Sequence, residues 1–387
     1  MKITVVCDVL GEETNGTVVA AKNLINFLKE KGHEVRVLCP EIEMMGKEGY
    51  YVVPVFNFGK PLNSYVKKVG VSLAKPDKRI ICQALKGADV VHIIVPLSLG
   101  LTAAKIAYKM GIPITAGFHM QAQNLTSHLK IDKLPIANHE VYKFIYKYLY
   151  RYCSAIHYPT DFIRGEFETN IKKITPARVI SNGVHNYVRK KEVEKPEEFK
   201  NKIIILSTGR YGKEKSQDTL IKAVAKSKYK DKIQIILAGL GPNENKYRKL
   251  AQKLNVNCLL KVFTRNEIID VINYCDLYVH PAVVELEGIA CLEAVVCGKL
   301  TIVSDSKYSA TKGFAVDKRC IFHKRDSEDL AKVIDYWIEH PEEKALCEKE
   351  YLQSAHNFDL DECMQEMENM LYEAAKITPP QIQIKAE

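Results

Sequence analysis

No stretch of this chain approaches the ~20 consecutive apolar residues that a membrane-crossing helix needs. The sequence therefore predicts no membrane span. Nor is there a CxxC pair among the eleven cysteines, which are scattered from Cys7 to Cys363. Several, such as Cys7, Cys39 and Cys275, fall on apolar strand or helix faces. They read as small core residues in a reducing cytoplasm, not as disulfides or metal ligands. A complete GxGxxG is also missing. LAGLGPNEN supplies Gly239 and Gly241, but Glu244 stands where the third glycine belongs, so a dehydrogenase is disfavoured and the segment reads as a turn. No solenoid-period repeat and no low-complexity tract occurs. The start, MKITVVCDV, reads as a strand without a signal peptide.

Acidic residues are scarce in one region only. Residues 60–151 hold 14 Lys and Arg against 4 Asp and Glu. Residues 1–180 hold 24 against 15, an excess equal to the +9 of the whole chain. The positive field belongs to the first half, which implies an anionic partner such as a membrane surface. No nucleic-acid partner is expected, and oligomeric state is left open.

The 387 residues suit two domains of ordinary size. Short apolar strands alternate with helices almost throughout: KITVVCDV, EVRVLCP, YVVPV, DVVHIIV, PITAGF and AIHYP, with helices over 17–31, 76–87, 98–111 and 160–169. That pattern means a parallel sheet covered on both faces. It restarts after the polar stretch KPEEFKNK, 195–202, with IIILST, KIQIILAG, CLLKVF, DLYVH and LTIVSD. The expected fold is α/β: two tandem Rossmann-like, doubly wound domains with a cleft between them. Their predicted bounds are 1–194 and 195–358. A final segment, 359–387, carries a helix packing back on the first domain. Ligands of such sheets bind beyond the strand carboxyl ends.

The most informative segment is HPAVVELEGIACLEAVVCG. Glu285 follows an apolar strand and Glu293 lies seven intervening residues on, in a helix. Gly288 lets the backbone turn closely, and the helix start presents N–H groups to an anion. One acid is then placed for a sugar hydroxyl and the other for a ribose. The plain alternative is that acids near a helix start only complement its dipole. Arg210 and Lys215 follow the strand IIILST, where a fork and a point charge suit a diphosphate, unless the loop is merely solvated. Gly16 sits at a helix start after the first strand. His119 follows PITAGF, and Asn182-Gly183 lies at a strand end. Two helices are amphipathic. Residues 62–75 place Leu62, Tyr65, Val66, Val69 and Leu73 opposite lysines. Residues 141–153 place Val141, Phe144, Ile145, Tyr148, Leu149 and Tyr152 on one stripe between cations. Such helices suit a bilayer interface; residues 62–75 suit a domain core equally, and residues 141–153 read first as a helix covering a domain core with a solvated basic edge.

Taken in order, Gly16, His119, Asn182-Gly183, Arg210, Lys215 and the Glu285/Glu293 pair resemble glycosyltransferase family 4, whose members are retaining enzymes of the GT-B fold. The resemblance covers nearly the whole chain. It implies that Glu285 contacts hydroxyls of the donor sugar and Glu293 the ribose. Arg210, Lys215 and the amides of Ile289 and Ala290 would meet the leaving diphosphate beside Gly288, without a metal. His119 would lie beside the sugar. There are departures: Glu287 precedes Gly288 where the family has Phe, Leu286 stands where a small residue or proline is common, Leu300 replaces a proline, and His185 an aspartate. Among subgroups the chain is most similar to bacterial enzymes acting on diacylglycerol or a similar lipid. The expectation is a cytoplasmic hexosyltransferase, peripheral on the inner face of the plasma membrane, that takes UDP-glucose or UDP-galactose to a lipid hydroxyl. Two other readings stand beside it: the same chemistry on a soluble or polysaccharide-precursor acceptor, and a non-catalytic nucleotide-binding protein of the membrane surface.

Overall fold

The computed structural model describes residues 1–11, 16–56, 74–123 and 135–376. They form two compact units: Met1–Asn182 with Asp361–Glu387, and Gly183–Leu360. No helix of the described residues is long and apolar enough to cross a membrane.

The first unit holds β1 (Lys2–Val6), β2 (Glu34–Cys39), β3 (Tyr50–Val52), β4 (Val90–Ile93), β5 (Ile114–Gly117), β6 (Ala155–Tyr158) and β7 (Ala177–Val179). Their order is β3-β2-β1-β4-β5-β6-β7, and every pairing is parallel. Every residue of β4, β5 and β6 is buried, as expected for strands covered on both faces. The strand order reverses between β1 and β4. There the buried Asp8 carboxylate, just past β1, accepts from the amides of Leu99 and Gly100 at 2.8 Å, at the start of the helix Ser98–Lys109. Burial nevertheless raises its pKa to about 6.

The second unit holds β8 (Ile203–Thr208), β9 (Ile233–Ala238), β10 (Cys258–Lys261), β11 (Leu277–His280), β12 (Thr301–Ser304) and β13 (Ile321–Phe322), in the order β10-β9-β8-β11-β12-β13, again all parallel. The period of two sends alternate residues to opposite cores. Leu277 and Val279 join one, and Tyr278 joins the other.

The division differs from the sequence reading at the first boundary. The second unit begins at Gly183, so the stretch 195–202 lies inside it and is not a linker. Val184 and Val188 are buried in its core. The Lys195 ammonium bonds the Asp276 carboxylate at 2.6 Å and the Lys202 carbonyl at 3.2 Å. Its polarity is that of a surface strap leading into β8. The last helix, Leu360–Ala375, passes into the first unit at Asp361. There Glu368 meets His33 at 2.6 Å, both buried, and Glu373 pairs with Arg178.

Nine of the eleven cysteines are buried and all are free, which fits core residues rather than a disulfide frame. The amphipathic call on residues 62–75 lies mostly outside the described residues. The stripe drawn through 141–153 divides. Ile145 and Leu149 are buried with Tyr142, whereas Phe144 and Tyr148 are 52% and 44% exposed and pack on each other at 4.7 Å. The line 142, 145, 149 faces the core, and its neighbour 144, 148 faces out with Lys143 and Lys147.

Three buried histidines, His92, His119 and His157, gather on β4, after β5 and on β6. His92 Nδ1 meets the Thr115 hydroxyl at 2.9 Å, and His157 Nε2 donates to the Ile180 carbonyl at 2.7 Å. Burial brings His92 to about 3 and His157 to about 4, and holds His119 well below the usual imidazole range. The unfolded chain therefore binds protons that the folded chain refuses. Stability is expected to fall as pH drops below ~6.5, by about 1.4 kcal/mol per pH unit for each histidine. Asp8, raised instead, offsets one of the three below pH 6. Urea midpoints at pH 7.5 and 5 check this. His92→Asn should flatten the dependence, and an unchanged slope would count against it.

Candidate functional site

The strand order of the second unit reverses between β8 and β11, where doubly wound sheets bind ligands beyond the carboxyl ends. The loops that follow those two strands carry Arg210 and Lys215 on one side and Glu285 on the other. The Lys215 ammonium pairs with Glu285 Oε2, and the His280 ring meets the same oxygen at 3.1 Å. All three side chains are largely buried, at 20%, 15% and 2% exposure for Lys215, Glu285 and His280. Burial pushes the Glu285 carboxyl up, but the Lys215 charge and the His280 hydrogen bond outweigh it and bring the pKa down to about 2. Burial also holds His280 below its ordinary value, against the pull of Glu285. His280 Nε2 donates to the Glu285 carboxylate, and its Nδ1 lies 3.4 Å from the Tyr278 hydroxyl. That hydroxyl sits 2.6 Å from Thr208 Oγ1 and 2.9 Å from the Ala290 carbonyl. A row of polar side chains thus runs from Thr208 at the end of β8, past Tyr278 and His280 on β11, to Glu285.

The loop after Glu285 is anchored at its start through both backbone groups of that residue. Glu285 donates its amide to the Tyr308 carbonyl at 3.0 Å and accepts from the Ala310 amide at 2.9 Å. Gly288 then takes φ 93°, and a Cβ there would lie 2.6 Å from Thr311 Cγ2. Only glycine makes this turn without strain. It opens the helix Ile289–Val296 with no side-chain cap, so the amides of Ile289 and Ala290 point out of the helix start. Gly239 and Gly241 serve packing. A Cβ on Gly239 would stand 2.2 Å from the Gly209 carbonyl, and the Tyr211 amide donates to Leu240 at 2.9 Å. The glycine-rich turn is the floor under the Arg210 loop.

Glu293, one turn into that helix, is buried and meets Arg265 at 2.6 Å. Burial raises its pKa, and Arg265 opposes the rise. Arg265 also donates to the Tyr187 hydroxyl at 3.4 Å, and Tyr187 stacks on His185 at 4.9 Å. The unusual His185 is therefore the outer end of a row that reaches Glu293.

Of the residues singled out from the sequence, Arg210, Lys215, Glu285, Gly288, Ile289, Ala290 and Glu293 share the second unit, with Glu285 before the turn at Gly288 and Glu293 in the helix after it. Gly16 and His119 lie in the first unit, Gly16 opening the helix Gly16–Glu30. Sequence reasoning missed Tyr278, His280 and Arg265. An alternation signal exists for the first two, since both lie on one face of β11. Arg265 gave none, because its partner is distant in sequence. Among the described residues no group of three or more His, Cys, Asp or Glu is placed to hold a metal ion.

Two family models divide the chain. Glycosyltransferase Family 4 matches residues 14–186, and Glycosyl transferases group 1 matches residues 188–351. The chain belongs to the family 4 glycosyltransferases of GT-B fold, hexosyltransferases that take the sugar from a nucleotide-sugar donor. It is similar to alpha-monoglucosyldiacylglycerol synthase of Streptococcus pneumoniae, 23% identical over 92% of this chain and 83% of that one. Anabaena Alr3699/HepE, solved in complex with UDP and glucose, shares the fold with a TM-score of 0.72 and 16% identity, covering 96% of this chain and 99% of that one. The catalytic domain of cholesterol-alpha-glucosyltransferase from Helicobacter pylori is 42% identical over 40% of this chain and 99% of its own, with a TM-score of 0.38.

Proposed function

We propose that this enzyme moves glucose or galactose from UDP to a hydroxyl of a membrane lipid, diacylglycerol foremost, with retention at the anomeric carbon. The observation that carries the reading is the Lys215–Glu285–His280 cluster at the reversal of the second sheet, beside an uncapped helix start. Glu285, ionised at every physiological pH, accepts from hydroxyls of the donor sugar. Lys215, already at its side, meets the diphosphate with Arg210 and the amides of Ile289 and Ala290, and Gly288 leaves room for the close approach. Glu293 holds the ribose. In this reading the cations do the work of a metal, and the leaving diphosphate departs on the face that the acceptor enters.

The UDP assignment is supported by HepE and the lipid assignment by the S. pneumoniae relative. Radiolabelled UDP-glucose and UDP-galactose, offered with a total lipid extract and then with diacylglycerol or cholesterol singly, test both. The expected product is a labelled glycolipid, formed equally in EDTA. Label appearing only in water-soluble product favours the soluble-acceptor reading. No turnover of any UDP-sugar leaves a non-catalytic nucleotide binder.

The enzyme is read as cytoplasmic and peripheral, on the inner face of the plasma membrane. Exposed Phe144, Tyr148 and Tyr108 stand among Lys143, Lys147 and Arg151, with Lys147 5.1 Å over Tyr148 and Arg151 5.0 Å over Tyr152. Each such cation contributes about 1 kcal/mol near anionic lipid. Binding should be strong to phosphatidylglycerol vesicles, weak to phosphatidylcholine and weakened by salt. Lys143→Glu with Lys147→Glu should reduce co-sedimentation by roughly tenfold or more. A double variant that sediments like the wild type refutes this face as the anchor.

A further inference from the structure

The first unit contains an apolar cavity of about 570 Å³, a size usual for small-molecule sites. It lies where Pro96, Leu97 and Ser98 follow β4 and Met120 follows β5 next to His119, and the helix Pro135–Tyr148 closes its side with Ala137, Val141 and Phe144. Its two polar side chains already have partners. The Ser98 hydroxyl is spent on the Ala74 carbonyl at 2.6 Å, and the Glu140 carboxylate pairs with Lys143 at 3.1 Å. Phe144 belongs both to this wall and to the exposed aromatic, basic face, so the mouth opens among cations.

We propose that this cavity binds an acyl chain of the lipid acceptor, with the anionic bilayer surface held by the basic rim; the inference rests on the lipid-acceptor reading above. A lining of mostly apolar side chains, with Ser98 and Glu140 already partnered, fits a hydrocarbon chain rather than a sugar or peptide. The cationic rim fits the surface from which such a chain is drawn. The cavity stands at the carboxyl edge of β4 and β5, the edge on which ligands of a doubly wound sheet bind.

Chain length tests the assignment. Monomeric diacylglycerols from dihexanoyl to didecanoyl are offered below their micelle concentrations. Each buried methylene should lower KM by up to about fourfold. Ala137→Phe fills the cavity and Leu101→Asn makes it polar. Either should raise KM for the longest chain at least tenfold and flatten the length dependence, with UDP affinity unchanged. A variant that keeps the wild-type slope overturns the proposal. A wild type that glycosylates no lipid, while turning over UDP-sugar on a soluble acceptor, overturns the reading beneath it. Phe144→Trp adds a readout independent of the two filling variants, since the one native tryptophan, Trp337, is buried in the second unit. Brominated-chain diacylglycerol should quench the new indole. No quenching in a variant that still transfers sugar to lipid overturns the proposal as well.

Discussion

Lys215→Ala is expected to lower turnover by roughly 10²–10³-fold, the cost of removing one donor aimed at developing negative charge. The structure adds a second consequence. Lys215 is the charge that keeps Glu285 near pKa 2 in a buried site. Without it, burial is opposed only by His280, and the Glu285 carboxyl rises. The variant should therefore lose activity on the acid side of neutrality, where the wild type is flat, and should also melt earlier, because a buried carboxylate has lost its partner. Lys215→Arg restores the charge and should recover the acid limb before it recovers kcat. Stopped-time transfer assays from pH 5 to 8, with melting curves alongside, read all of this. A folded Lys215→Ala enzyme with unchanged kcat would remove Lys215 from the diphosphate.

Glu293→Ala should weaken UDP binding by about 1.5–3 kcal/mol, which is roughly 10- to 150-fold, the worth of a hydrogen bond to a charged group. Arg265 makes this measurable as a pair. Its guanidinium pairs with Glu293 and opposes the rise that burial imposes on that carboxyl. Arg265→Ala should thus reproduce part of the loss without touching the nucleotide, and the double variant should cost less than the sum. Calorimetric titration of UDP into the folded variants decides it. Unchanged affinity in Glu293→Ala would take the ribose away from this residue.

The sequence made much of this site legible, and physical reasons explain where it stopped. Apolar runs of four to six residues with helices between announced two parallel sheets, because a strand covered on both faces has no polar side to show. The glycine, the helix start and the two acids around Gly288 are local, so their spacing spoke for itself. Long-range partners did not. His280 reads as a strand-end residue until Tyr278 and Glu285 are seen on either side of its ring. The polar run 195–202 looked like a linker because composition cannot show that Lys195 is tied to Asp276, 81 residues away. The stripe over 141–153 divides between core and surface because two neighbouring lines of a helix both carry aromatics there, and only packing separates them.

The discontinuity of the first unit bears on how the polypeptide is made. Its strands leave the ribosome first, but its closing helix leaves last, after all of Gly183–Leu360. Glu368 reaches His33 only then. The second unit is contiguous and is free to fold while the first still waits for its final piece. A chain truncated after Leu360 should hold a nucleotide-competent second unit and a protease-sensitive first one. Resistance of the strands β1 to β7 to proteolysis should appear only when the helix Leu360–Ala375 is present.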